Sequence, residues 1–117
     1  MKTTSESMPE RLSVSFTRIR QRVHTINFNP VETSPGVWEY ESVTIEPGRW
    51  NYDGVVDSII SDRYPSDRMW AVTNNYLSTL GMAGTKEAQE HEREFAEMQL
   101  WRETAKTIAR EFFPVEG

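Results

Sequence analysis

Residues 52–80, YDGVVDSIISDRYPSDRMWAVTNNYLSTL, constrain the fold most, because they carry the spacing of two helices with Pro65 between them. Val55, Val56, Ile59 and Ile60 make one apolar stripe at helical spacing, with Asp57, Ser58 and Asp62 on the other side. Asn51 or Asp53 is placed to cap this helix. Pro65 biases Tyr64 away from helical ψ and stops the helix near Arg63. Ser66 is then placed as the next N-cap, with Asp67 in a first turn where the macrodipole favours an anion. Met69, Val72, Tyr76, Leu77 and Leu80 supply the buried face of this second helix, and Gly81 and Gly84 end it.

A third helix follows. Thr85 can cap it, and Phe95, Met98, Trp101, Ala105, Ile108 and Phe112 form the strongest periodic stripe in the chain. Trp101 is the residue expected to close it over the helices before it. Pro114 stops it and leaves residues 114–117 as a tail.

Before residue 48 the period is two. Leu12, Val14 and Phe16 alternate with Ser13, Ser15 and Thr17, which predicts a strand over 11–18. The alternation loses phase between Arg18 and Arg22 and resumes at Val23, so a bulge or break is expected there. Residues 29–36, NPVETSPG, read as a loop rather than a tight turn. In the next strand Val37, Val43 and Ile45 share one parity and Trp38 and Tyr40 the other. Folding back about Thr33 would pair Phe28 with Trp38, Ile26 with Tyr40 and Val23 with Val43. Pro47-Gly48 ends the sheet region. The fold class is therefore α+β: an N-terminal antiparallel sheet of two to three strands followed by three helices. Residues 1–9 read as a flexible lead and 10–113 as a single domain.

The 117 residues suffice for one modest core, which four Trp, four Tyr and five Phe can fill. The absence of Cys removes disulfides, thiolate nucleophiles and cysteine zinc sites, so packing must supply the stability. The first sixteen residues lack the apolar core of a signal peptide, and a cytoplasmic or virion-associated protein without a membrane span is expected. A net charge of -5 argues against wholesale binding of nucleic acid or anionic membranes.

Arg18, Arg20, Arg22 and His24 recur at every second residue, a basic stripe on one strand face that could track phosphates. The net acidity favours the plainer alternative, in which these arginines meet Glu39, Glu41 or Glu46 or are simply solvated. The helix pair about Pro65 has a helix-turn-helix outline, but Arg68 beside Asp67, followed by Asn74 and Asn75, is a poor recognition surface. His24 and His91 lack ligand spacing, and His91 among Glu87, Glu90, Glu92 and Glu94 reads as a solvated acidic face, so no metal or cofactor is expected. Asp53, Asp57 and Asp62 have acid–base spacing and nothing more, and no nucleophile or phosphate-loop motif occurs, which argues against an enzyme. Four Trp exceed what so small a core needs. Trp70, beside the main stripe of its helix, is the first candidate for a partner surface, with Tyr64 and the sheet aromatics Trp38 and Tyr40.

The segments HTINFNP, GVWEYESVTIEPG, YDGVVDSIISDRYPSDRMWAVTNNYL and EFAEMQLWRETAKTIA together resemble a group of small proteins carried by prophages of gut bacteria. Such genes lie near tail or virion modules. The resemblance runs from about His24 to Arg110 and brings no catalytic residues with it. It implies a phage accessory or assembly protein whose partner is a phage structural protein or a second copy of itself. The alternative is a nucleic-acid-binding regulator using Arg18, Arg20 and Arg22.

Overall fold

A computed structural model describes residues 1–82 and 84–114; the expected tail residues Val115, Glu116 and Gly117 lie outside the described residues. Its elements are β1 (Lys2–Ser5), β2 (Leu12–Phe16), β3 (Arg22–Ser34), β4 (Val37–Ile45), α1 (Tyr52–Arg63), α2 (Ser66–Ser78) and α3 (Lys86–Phe112). Strands precede helices, as the change of period predicts, and the fold is α+β. The chain groups into two compact units, Met1–Ser58 and Ile59–Gly117, divided within α1.

In the first unit the sheet has four antiparallel strands in the order β1-β4-β3-β2, not two to three. The additional strand is β1, which arises inside the polar stretch read as a flexible lead. It has no apolar period to announce it. Its backbone pairs Lys2 with Glu41 and Ser5 with Trp38, and the Lys2 ammonium reaches the Glu39 carboxylate at 3.2 Å. The break expected after Phe16 is a hairpin turn: β2 and β3 are neighbours, with Leu12 opposite Ile26 and Phe16 opposite Arg22.

The pairing of β3 with β4 corrects the expected register. Phe28 faces Glu41, Ile26 faces Val43 and His24 faces Ile45, a slip of three residues from the expected partners. The 29–36 loop does not form. β3 continues through most of it, the register shifts between Phe28 and Val31, and the reversal is a two-residue turn at Pro35-Gly36. Asn29 takes a left-handed φ of 52° in the irregular stretch, and Pro30 beside it has no amide to donate. Gly36 has φ 79°, which a turn with Pro then Gly at its centre requires.

Alternation makes one sheet face apolar: Ile26, Phe28, Val43 and Ile45 are buried, with His24 and Glu41 among them. Each fully buried Ile or Phe contributes roughly 2–3 kcal/mol. Gly48, at φ 83°, turns the chain out of β4. Asn51 then caps α1, its Oδ1 accepting the Gly54 amide at 2.8 Å.

In the second unit the α3 stripe is buried as predicted at Met98, Trp101, Ala105 and Ile108, and Phe95 stacks on Tyr76 of α2 at 4.3 Å between ring centroids. Trp101 donates its indole N–H to the Ile59 carbonyl oxygen at 3.0 Å, fixing α3 against the last turns of α1. The Thr85 hydroxyl accepts from the Ala88 amide and caps α3 as expected. Two expectations for α2 are corrected. Pro65, with ψ 158°, occupies the cap position, so Ser66 is already helical and caps nothing by its side chain. Leu77 and Leu80 are exposed: the buried side of α2 runs through Met69, Val72 and Tyr76, Leu77 is turned about 100° from Tyr76, and Leu80 lies past the end of the helix.

Candidate functional site

The candidate contact residues separate sharply by exposure. Trp70 is 69% exposed. Leu77, seven residues on, lies on the same side of α2 and is 55% exposed. Asn74 between them is exposed as well, so α2 presents an amide flanked by two large apolar side chains. Trp38 and Tyr40 are half-buried on the sheet face opposite the apolar one, where β1 sets Ser5 and Thr3 beside them. Tyr64 is a correction. It is 7% exposed, with its amide bonded to the Ile60 carbonyl at 2.7 Å at the end of α1, and so offers little surface to a partner. The Arg68 guanidinium lies 5.2 Å from its ring centroid.

The basic residues are arranged otherwise than as a strand stripe. Arg18 and Arg20 belong to the turn between β2 and β3, and only Arg22 is on a strand. The turn is closed by the Arg20 amide donating to the Thr17 carbonyl at 2.9 Å and the Thr17 amide donating to the Gln21 carbonyl at 2.9 Å. Arg20 sits at φ 62°, the left-handed residue that follows a type I turn in a three-residue hairpin loop. A run of R-x-R-x-R has the same spacing in a strand and in such a turn, which is why alternation did not separate them.

The arginines do not meet Glu39, Glu41 or Glu46. Glu39 takes Lys2, and Arg18, Arg20 and Arg22 are all exposed with no carboxylate partner among the described residues. Next to them Phe16 is 64% and Ile19 76% exposed. Sequence reading missed both, treating Phe16 as core-facing. Val14 and Phe16 do share the parity of the buried face of β3, but β2 is an edge strand and its apolar side chains stay open.

One rung inward, His24 is buried opposite Val14 and lies flat against Trp50, with ring centroids 4.0 Å apart and 1° between planes. Its Nδ1 is buried and finds no hydrogen-bond partner among the described residues. Burial, and then the Arg22 guanidinium, hold its pKa below the ordinary histidine value. The stack was not foreseen, since Trp50 falls outside every period.

Of the carboxylates considered for acid–base work, Asp57 accepts from Arg49 at 3.1 Å, and Asp53, one turn before it, is exposed at the start of α1. His91 lies 3.7 Å from Glu87 on α3. Among the described residues no group of three or more His, Asp or Glu is placed to hold a metal ion, and no helix is long and apolar enough to cross a membrane. What the arrangement offers chemically is surface: an apolar helix face at Trp70 and Leu77, and a cationic hairpin carrying exposed apolar side chains.

Compared with known proteins, the chain matches no family model, and neither a curated protein nor a solved structure shows significant similarity to it.

Proposed function

We propose that this protein is a non-enzymatic accessory protein of a phage or prophage, acting by protein–protein interaction in tail or virion assembly or as a minor structural component. The observation that carries the reading is the exposure of Trp70 beside Leu77 on α2. Seating the exposed part of the Trp70 ring against a partner removes on the order of 140 Å² from water, roughly 3–4 kcal/mol before the costs of association. Large aromatics are enriched where interfaces concentrate their energy. The partner is a phage structural or assembly protein encoded beside this one; self-association is the competing outcome.

The test is co-purification of the tagged chain with the products of its neighbouring genes, alongside light scattering of the chain alone. Wild type is expected to retain one neighbour, and W70A with L77A to release it while keeping its circular dichroism. Retention of that neighbour by the double variant would remove the α2 face from the reading. A wild-type chain that retains nothing and stays monomeric would remove the reading itself.

A second reading, nucleic-acid binding through Arg18, Arg20 and Arg22, is favoured by one observation: none of these guanidinia has a carboxylate partner among the described residues. A gel shift across salt concentrations tests it, since phosphate contacts give a steep salt dependence.

A further inference from the structure

We propose that the β2–β3 hairpin is a binding site for single-stranded nucleic acid, in which Phe16 stacks on a base and Arg18, Arg20 and Arg22 hold the phosphates beside it. The inference rests on the second reading above and narrows it to unpaired strands.

The charge is segregated. Between Glu10 and Glu32 the chain has four arginines and no acidic residue; nine of its thirteen basic residues and all eighteen acidic ones lie elsewhere. At physiological salt the Debye length is about 8 Å, so an approaching phosphate responds chiefly to the charges nearest it. At the hairpin tip those are Arg18, Arg20 and Arg22. Arginine also suits the task chemically, because its planar fork grips a phosphate in two places and stacks on bases.

The apolar residues select the strand type. Phe16 stands directly opposite Arg22, so ring and guanidinium share one face of the hairpin, and that ring is 64% exposed. An exposed aromatic face gains from a base only when the base is unpaired; in a duplex the bases cover each other and leave their edges. The next rung on this face, Val14 opposite His24, is closed on one side, since His24 is buried against Trp50, so Phe16 is the ring on this face left open to a base. Ile19, at the turn between Arg18 and Arg20, adds a second exposed apolar contact.

The backbone at Arg20 separates stability from binding. A left-handed φ of 62° suits glycine better than arginine, so glycine there should ease the turn while removing one of the three cations.

Fluorescence anisotropy with the full chain tests the assignment, using a labelled oligothymidylate, a duplex of equal length, and phosphatidylserine vesicles. The oligothymidylate is expected to bind with a log–log salt slope of about −2, as three phosphate contacts on a single strand give. The duplex should bind at least several-fold more weakly and the vesicles should not bind. F16A should weaken oligothymidylate binding roughly ten-fold or more, while F16W retains it. R20G should melt about 4 °C higher and yet bind more weakly.

Equal or tighter duplex binding overturns the single-strand assignment and leaves the nucleic-acid reading standing. Failure of both nucleic acids at low salt overturns the two together, and vesicle binding alone reassigns the hairpin to a lipid surface. Unchanged binding by F16A, with its circular dichroism intact, overturns the stacking role. Wild-type affinity in R20G overturns the role given to Arg20.

Discussion

The contact between α1 and α3 can be tested quantitatively through Trp101 and Arg63. Trp101 is 5% exposed, donates to the Ile59 carbonyl at 3.0 Å, and carries the Arg63 guanidinium 3.6 Å from its ring centroid. Replacing it by leucine removes three things. The hydrogen bond is worth about 1 kcal/mol net. The cation–π contact contributes about 1 kcal/mol for a guanidinium that keeps its water on one side. The lost ring volume adds about 1–2 kcal/mol if the site only partly collapses. W101L should therefore cost about 3–4 kcal/mol. R63A should cost about 1–2 kcal/mol, since Arg63 also lies in the last turn of α1, where the helix dipole stabilises a cation.

Because both residues make other contacts, only the double-mutant cycle isolates their coupling, expected at about 1 kcal/mol. Urea unfolding followed by far-UV circular dichroism is the suitable assay, since the substitution removes a fluorophore. With an m-value of about 2 kcal/mol/M, W101L should lower the midpoint by about 1.5–2 M. Strict additivity of the two substitutions would show that the ring and guanidinium do not interact, and a W101L loss below about 1 kcal/mol would show that the indole N–H bond does not anchor α3.

Two further outcomes follow from single residues. His24 has its folded pKa lowered, first by burial and then by Arg22, so the unfolded chain binds its proton more readily. Stability is then complete above the ordinary value of 6.5 and falls as pH drops through it towards the folded pKa. Thermal melts from about pH 7.5 to 5 should show this slope in wild type and lose part of it in H24Q; an identical slope in both would refute the assignment. Gly54 lies in the first turn of α1, where an added Cβ would collide with the Arg49 carbonyl oxygen. G54A should cost about 3 kcal/mol despite alanine's better helix propensity, and a G54A melting temperature equal to or above wild type would contradict the contact.

The helices were legible because their signals are local. Pro65 ends α1 at Arg63 through its own ring, and the six-residue stripe of α3 needs no partner to be seen. The sheet was less so, because register is a relation between distant residues. The irregularity after Phe28 shifts the pairing of β3 without leaving a mark in the alternation, since proline and asparagine read equally well as loop formers. The polar residues of β1 pair through backbone groups that every sequence has. Side-chain exposure was harder still: Phe16 and Phe28 have the same parity relative to their strands, yet one lies open on an edge and the other is fully buried between neighbours.

The same limit governs the reading of charge. A net charge of -5 describes the protein's field at distances beyond the screening length, where it governs solubility and non-specific repulsion. A ligand in contact with the tip of the β2–β3 hairpin meets Arg18, Arg20 and Arg22, which are exposed and have no carboxylate partner among the described residues. Composition therefore argues against a protein that coats nucleic acid, but it does not argue against one cationic tip that holds a short unpaired segment. Binding should then be confined to a few nucleotides, because three arginines and one exposed ring at the tip can engage no more. Site size, more than affinity, is thus the quantity that this charge distribution determines.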